Sequence, residues 1–127
     1  MISDVGAERN SSLIPLVGRR LYGVSFILDY IVLAFDPDYS LAAMSLPIVF
    51  KDGEPINSDQ AGYRDALVEQ IGKIVEATSE TNRELTVVLD EHLKFVIRLD
   101  ADEPPGPEMA QMSGGGHFLL AWVRPSG

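Results

Sequence analysis

Between Leu85 and Leu99 apolar and polar residues alternate with a period of two, and no other feature narrows the fold of this chain as much. Leu85, Val87 and Leu89 share one side, and Leu93, Phe95, Ile97 and Leu99 continue it after the polar break Asp90-Glu91-His92. That spacing places the apolar set on one face of a pleated strand pair, and the break is a hairpin turn. Thr86, Lys94 and Arg98 lie on the opposite face beside Val88 and Val96, so one face is buried and the other meets water. Tyr30 to Phe35 and Tyr39 to Phe50 repeat the scheme around Asp36-Pro37-Asp38, with a second face that is apolar too.

The two patterned regions keep step. Val17-Gly18-Arg19 and Ile71-Gly72-Lys73 open segments that match without a gap at an offset of 54 residues, pairing Ile31 with Leu85, Phe35 with Leu89 and Asp36 with Asp90. Tyr63, Ala66, Leu67 and Ile71 form one apolar stripe, which predicts a helix from Asp59 to Ile71, capped by Ser58 or Asp59 and stopped by Gly72. Gly106-Pro107-Glu108-Met109-Ala110-Gln111-Met112 echoes it, and proline and glutamate at its start suit a second short helix. The expected fold class is therefore α+β: a bent, mainly antiparallel sheet of six or seven strands with two short helices. Its units are two tandem β-β-β-α pseudo-repeats, 17–71 and 72–112, in a single domain spanning 13–127. A final strand, 117–123, follows the linker Gly114-Gly115-Gly116, and residues 1–12 read as a disordered tail.

Charge and composition narrow the function. Nineteen acidic against ten basic residues leave a net charge of −9, which repels a phosphate backbone and excludes nucleic acid as a partner. A partner chosen by charge is instead a basic protein. The stretch Leu13 to Phe35 is broken by Arg19, Arg20 and Asp29, so it is too interrupted to span a bilayer, and the N-terminus lacks the pattern of a secretion signal. With no cysteine in the chain, disulfides, thiolate catalysis and cysteine zinc sites fall away, and a reducing cytoplasm is the expected location.

Chemistry-bearing motifs are few. His92 and His117 have no ligand-like spacing, and the acidic run Asp100, Asp102, Glu103 and Glu108 is interrupted by Pro104 and Pro105, so no metal and no cofactor is expected. Ser113 beside three glycines lacks a base, and the glycine run leads into a strand where a phosphate loop would lead into a helix, so no catalytic residue is assigned. Tyr63, Arg64 and Asp65 form the most site-like polar group, with Glu108 at the equivalent place in the second repeat. Trp122, the sole tryptophan, is a candidate anchor for a partner.

The string Gly62-Tyr63-Arg64-Asp65-Ala66-Leu67 running into Ile71-Gly72, the following hairpin, and Gly106-Pro107-Glu108 with Ala110 resemble a group of small uncharacterised bacterial domains. That resemblance covers most of 13–123 and rests on caps and turns, so it implies a fold and brings no functional residues. In size and charge the chain is also similar in kind to immunity proteins that neutralise toxins.

Comparing the repeats gives a last expectation. Thr86, Val88, Lys94, Val96 and Arg98 face outward in the second copy, whereas the first presents Val32, Ala34, Ser40, Ala42 and Met44, with Leu46 next in line and no charge. Apolar surface of that kind calls for a cover. The sequence thus points to a protein-binding or interaction module, acting as a homodimer through Val32, Ala34, Ala42, Met44 and Leu46. The alternative is a small enzyme or ligand-binding protein with its site at Tyr63 and Arg64, and Glu108 and Trp122 complete the candidate binding residues.

Overall fold

The computed structural model describes residues 12–90, 92–100 and 108–123. A 3-10 turn at Ile14–Leu16 leads into β1 (Leu21–Ile27), β2 (Tyr30–Phe35), β3 (Tyr39–Ala43), β4 (Ile48–Lys51) and β5 (Glu54–Ile56). Helix α1 (Tyr63–Val68) follows, then β6 (Ala77–Glu80), β7 (Glu84–Asp90), β8 (Leu93–Arg98), β9 (Glu108–Gly114) and β10 (His117–Val123). The strands form two antiparallel five-stranded sheets, ordered β1-β2-β3-β9-β10 and β5-β4-β8-β7-β6.

This architecture overturns the α+β expectation, for a reason that lies in residues 108–114. The segment expected to be a second helix is strand β9, which pairs Met112 with Leu41 and Ala110 with Ala43 on one side and Ala110 with Trp122 on the other. As a helix it would leave β3 and β10 with unpaired edges, and satisfying backbone groups along two ladders outweighs the helix preference of Met, Ala and Gln. The helix that does form is also shorter than 59–71, because Gly62 takes a left-handed backbone (φ 87°) and caps it there. The tail up to residue 11, Asp102, Glu103 and the Gly106-Pro107 helix start lie outside the described residues.

Tyr30 and Glu84 open β2 and β7, and Tyr39 and Leu93 open β3 and β8, each pair at the 54-residue spacing. Each set belongs to a three-strand meander, β1-β2-β3 or β6-β7-β8, and the two meanders lie in different sheets. Their inward positions meet in one hydrophobic cluster: Leu33, Phe35 and Leu41 from the first sheet, Val87, Phe95 and Ile97 from the second, and Leu67 from α1. Each such side chain contributes about 1.5–3 kcal/mol on burial, which makes this shared layer the main source of stability.

Polar links join the sheets at their margins. The start of β1 is tied to the segment before β6 by Leu21 N–H to the Lys73 carbonyl at 2.9 Å and Gly72 N–H to the Leu21 carbonyl at 2.7 Å. Across the molecule, the Trp122 indole on β10 donates to Glu80 Oε2 on β6 at 3.1 Å. The second sheet has charged ends: Asp100 accepts from Arg83 Nη1 at 2.9 Å and Arg98 Nε at 3.0 Å.

These contacts give stability a pH dependence. Desolvation pushes the Asp100 carboxyl upward, but the hydrogen bonds from Arg83 and Arg98 outweigh it and hold it below its usual value. The His92 backbone N–H likewise holds Asp90 low, against desolvation and with help from Lys73. A carboxylate whose folded pKa is depressed stabilises the protein fully above its unfolded value, about 3.9 for Asp, and loses that contribution as pH falls through the lowered folded value. The melting-temperature gap between wild type and Asp100→Asn should therefore narrow below about pH 4. A gap of constant size down the acid limb would contradict this assignment.

Candidate functional site

The left-handed cap at Gly62 turns the next two side chains in opposite directions. Tyr63 goes inward, is 5% exposed, and donates its hydroxyl to the Pro47 carbonyl at 2.6 Å. Burial pushes its phenol pKa well above the ordinary value, so the hydroxyl remains a protonated donor that fastens α1 to the β3–β4 connection. Arg64 goes outward, and its guanidinium carbon stacks 4.4 Å from the centroid of the Phe26 ring.

Phe26 pairs with Ile31 across the β1–β2 hairpin, and the two form the floor of a cleft of about 300 Å³. Leu28 and Tyr30 line it from the hairpin, Leu46 from the β3–β4 connection, and Ser58, Gln60, Gly62, Tyr63, Arg64 and Asp65 from α1 and the loop before it. The hairpin side of the cleft is apolar and the α1 side polar, in about equal parts, so it offers both kinds of contact to a small molecule. Leu28 is unusual: it sits in the two-residue turn with φ 44° and is completely exposed. Both properties are unfavourable for a branched apolar side chain.

A second cleft, of about 220 Å³, lies on the other sheet between Phe50, Gly53, Val88, Asp90, His92, Leu93 and Lys94. There Lys94 Nζ lies 5.1 Å from the centroid of the Phe50 ring, and His92 Nδ1 lies 2.8 Å from Asp52 Oδ1. Among the described residues no group of three or more His, Asp or Glu side chains is placed to hold a metal ion.

The structure brings together some of the residues singled out by sequence and separates others. Tyr63 and Arg64 share the first cleft. Glu108 opens β9 opposite Val123 and does not line that cleft. Trp122 is 6% exposed within the core, so it cannot anchor a partner as expected: its ring packs between the sheets and its N–H is used by Glu80. Val32, Ala34 and Ala42 do share the outward side of the first sheet and are half-buried, and Met44, also half-buried, follows directly after the end of β3. Leu46 does not belong with them, since it faces the cleft.

Phe26 and Leu28 were not among the sequence candidates, although a signal existed. Leu28-Asp29 separates two apolar runs by two residues, the spacing of a tight hairpin, and a leucine at such a tip is out of place. No described helix is long and apolar enough to cross a membrane. No family profile, curated protein or solved structure matches this chain.

Proposed function

We propose that this protein is a non-catalytic protein-interaction module of the bacterial cytoplasm that works as a homodimer, joined through the outward face of its first sheet. The observation that carries this reading is the absence of charge along that face in a chain of net charge −9. Two rows of side chains cross all five strands: Gly23, Ala34, Ser40, Ser113 and Phe118, and beside them Ser25, Val32, Ala42, Gln111 and Ala121. Neither row contains an ionisable group. The corresponding face of the second sheet carries Lys94 and Arg98.

Helix α1 packs against β1 and β4 with Tyr63, Ala66 and Leu67 buried, so it does not cover this face. Five strands at about 4.8 Å spacing and six residues at about 3.4 Å give a plan area of about 500 Å². Side-chain relief and the exposed Phe118, Ile27 and Val123 at the margins bring that toward the about 800 Å² per partner of a standard interface. A second copy is the favoured occupant, because two molecules that repel through their carboxylates approach at least Coulombic cost along an uncharged surface, and a two-fold interface needs only self-complementarity. The carboxylates left outside the interface favour a basic protein as the further partner.

Light scattering coupled to gel filtration tests the reading. Wild type should run as a dimer, and Ala42→Glu, in the middle of the face, and Met44→Lys, just past the end of β3, as folded monomers, because each buries a charge in the interface. Lys94→Glu, on the other sheet, should leave the dimer intact. A wild-type protein that stays monomeric at high micromolar concentration overturns the proposal.

A further inference from the structure

Independently of the dimer, we propose that the cleft between the β1–β2 turn and α1 binds a small monocarboxylic acid with an aromatic or branched apolar body. The carboxylate would sit on the Arg64 guanidinium and the body on Phe26, Ile31 and Leu46. In a chain with 19 acidic and ten basic residues, a cation should readily find a carboxylate. Arg20, Lys51, Lys73, Arg83 and Arg98 each do, and Arg19 donates to the carbonyls of Pro15 and Asp36. Arg64 has neither kind of partner among the described residues, and it shares that state with Lys94, which rests on the Phe50 ring in the second, smaller cleft.

The Arg64 guanidinium face rests on the Phe26 ring at the cleft floor, which leaves the in-plane N–H groups without an acceptor. A stacked guanidinium with an open edge is a preorganised fork for a carboxylate, and the low-dielectric floor beside it strengthens the pairing. Asp65 lines the same cleft, so a ligand with a second negative charge is disfavoured. The volume, about 300 Å³, lies at the small end of ligand sites and suits a body about the size of one ring.

Leu28 supplies a separate observation. A residue held at φ 44° with its whole side chain in water costs the fold stability twice, and such costs persist where the residue has another use. At the lip of the cleft that use is to close over the apolar body of the ligand. Leu28→Gly should accordingly raise the melting temperature and weaken ligand binding, a combination that a purely structural residue does not produce.

The test is an NMR titration of the full chain with phenylacetate, with its neutral amide phenylacetamide, and with inorganic phosphate. Phenylacetate should give saturable shifts at Phe26, Ile31, Leu46 and Arg64 in the millimolar range, and the amide should bind at least about tenfold more weakly. Phosphate should not saturate. Arg64→Met keeps a long apolar stem over Phe26 and should reduce phenylacetate binding to the level of the amide. The inference is overturned by any of four results: no saturable shifts with phenylacetate, equal binding of acid and amide, wild-type binding by Arg64→Met, or shifts centred on Phe50 and Lys94. Phosphate binding as tightly as phenylacetate, or a Leu28→Gly variant that binds like wild type, equally ends it.

Discussion

Replacing Trp122 by alanine should lower the unfolding free energy by about 3–5 kcal/mol in urea denaturation, a large share of the about 5–15 kcal/mol that holds a domain together. The indole is 6% exposed in the common core, so truncation opens a cavity between the sheets. It also strands Glu80, a 7% exposed carboxylate that accepts from the indole at 3.1 Å and from the Ser12 backbone N–H at 2.9 Å. The two costs can be separated. Trp122→Phe keeps most of the volume but leaves Glu80 Oε2 without its donor, and should cost about 1–3 kcal/mol. Glu80→Leu leaves the opposite partners unsatisfied at a similar cost, whereas Glu80→Gln keeps an acceptor and should be milder. The double variant Glu80→Leu with Trp122→Phe removes both partners and should be more stable than the sum of the single losses predicts. Strict additivity would show that the hydrogen bond between β6 and β10 does not join the two sheets energetically.

Gly114→Ala should destabilise by about 1–3 kcal/mol, the range for forcing extra volume into a packed site. A Cβ on Gly114 would fall within the Tyr39 ring, which lies directly over this residue from the neighbouring strand. That ring cannot swing away freely, because the Arg19 guanidinium covers it at 3.9 Å and is itself held by the Pro15 and Asp36 carbonyls. In a Tyr39→Leu background the cost of Gly114→Ala should shrink, since the obstructing ring is gone. Gly23→Ala is the control: its new methyl would meet Ala34 Cβ at 3.8 Å, an ordinary contact, and thermal melts should change little. Equal losses at Gly23 and Gly114 would mean that strand glycines here are chosen for some reason other than the ring.

Where the hydration of the two strand faces differs, the chain could be read directly. The hairpin over Leu85 to Leu99 is β7 and β8, and the final strand expected at 117–123 is β10, because alternation depends on residues two apart and needs no knowledge of the partner. That a helix follows β5 was readable for the same local reason, but its start was expected at Asp59 and is set at Tyr63 by the left-handed backbone of Gly62. The segment 51–58 reads as a loop leading into the helix, but Asp52-Gly53, with φ 53° and 82°, is a tight turn joining β4 to β5, and the Asp-Gly pair is among the strongest hairpin signals a sequence offers.

Other features lie beyond any local reading. Met109, Ala110 and Met112 fit one side of a short helix as well as a strand, and the choice falls to Leu41 and Ala43, far away in sequence, whose open edge β9 completes. That the two meanders occupy facing sheets, and do not form one bent sheet, follows from how their apolar faces find each other; alternation marks a face as buried without saying against what. The cleft has the same origin. Tyr63 and Arg64 could be singled out from the chain, but the Phe26 ring under the guanidinium and the strained Leu28 at the lip come from a hairpin that meets α1 only when the core closes, since neither segment buries enough apolar surface to hold that geometry alone.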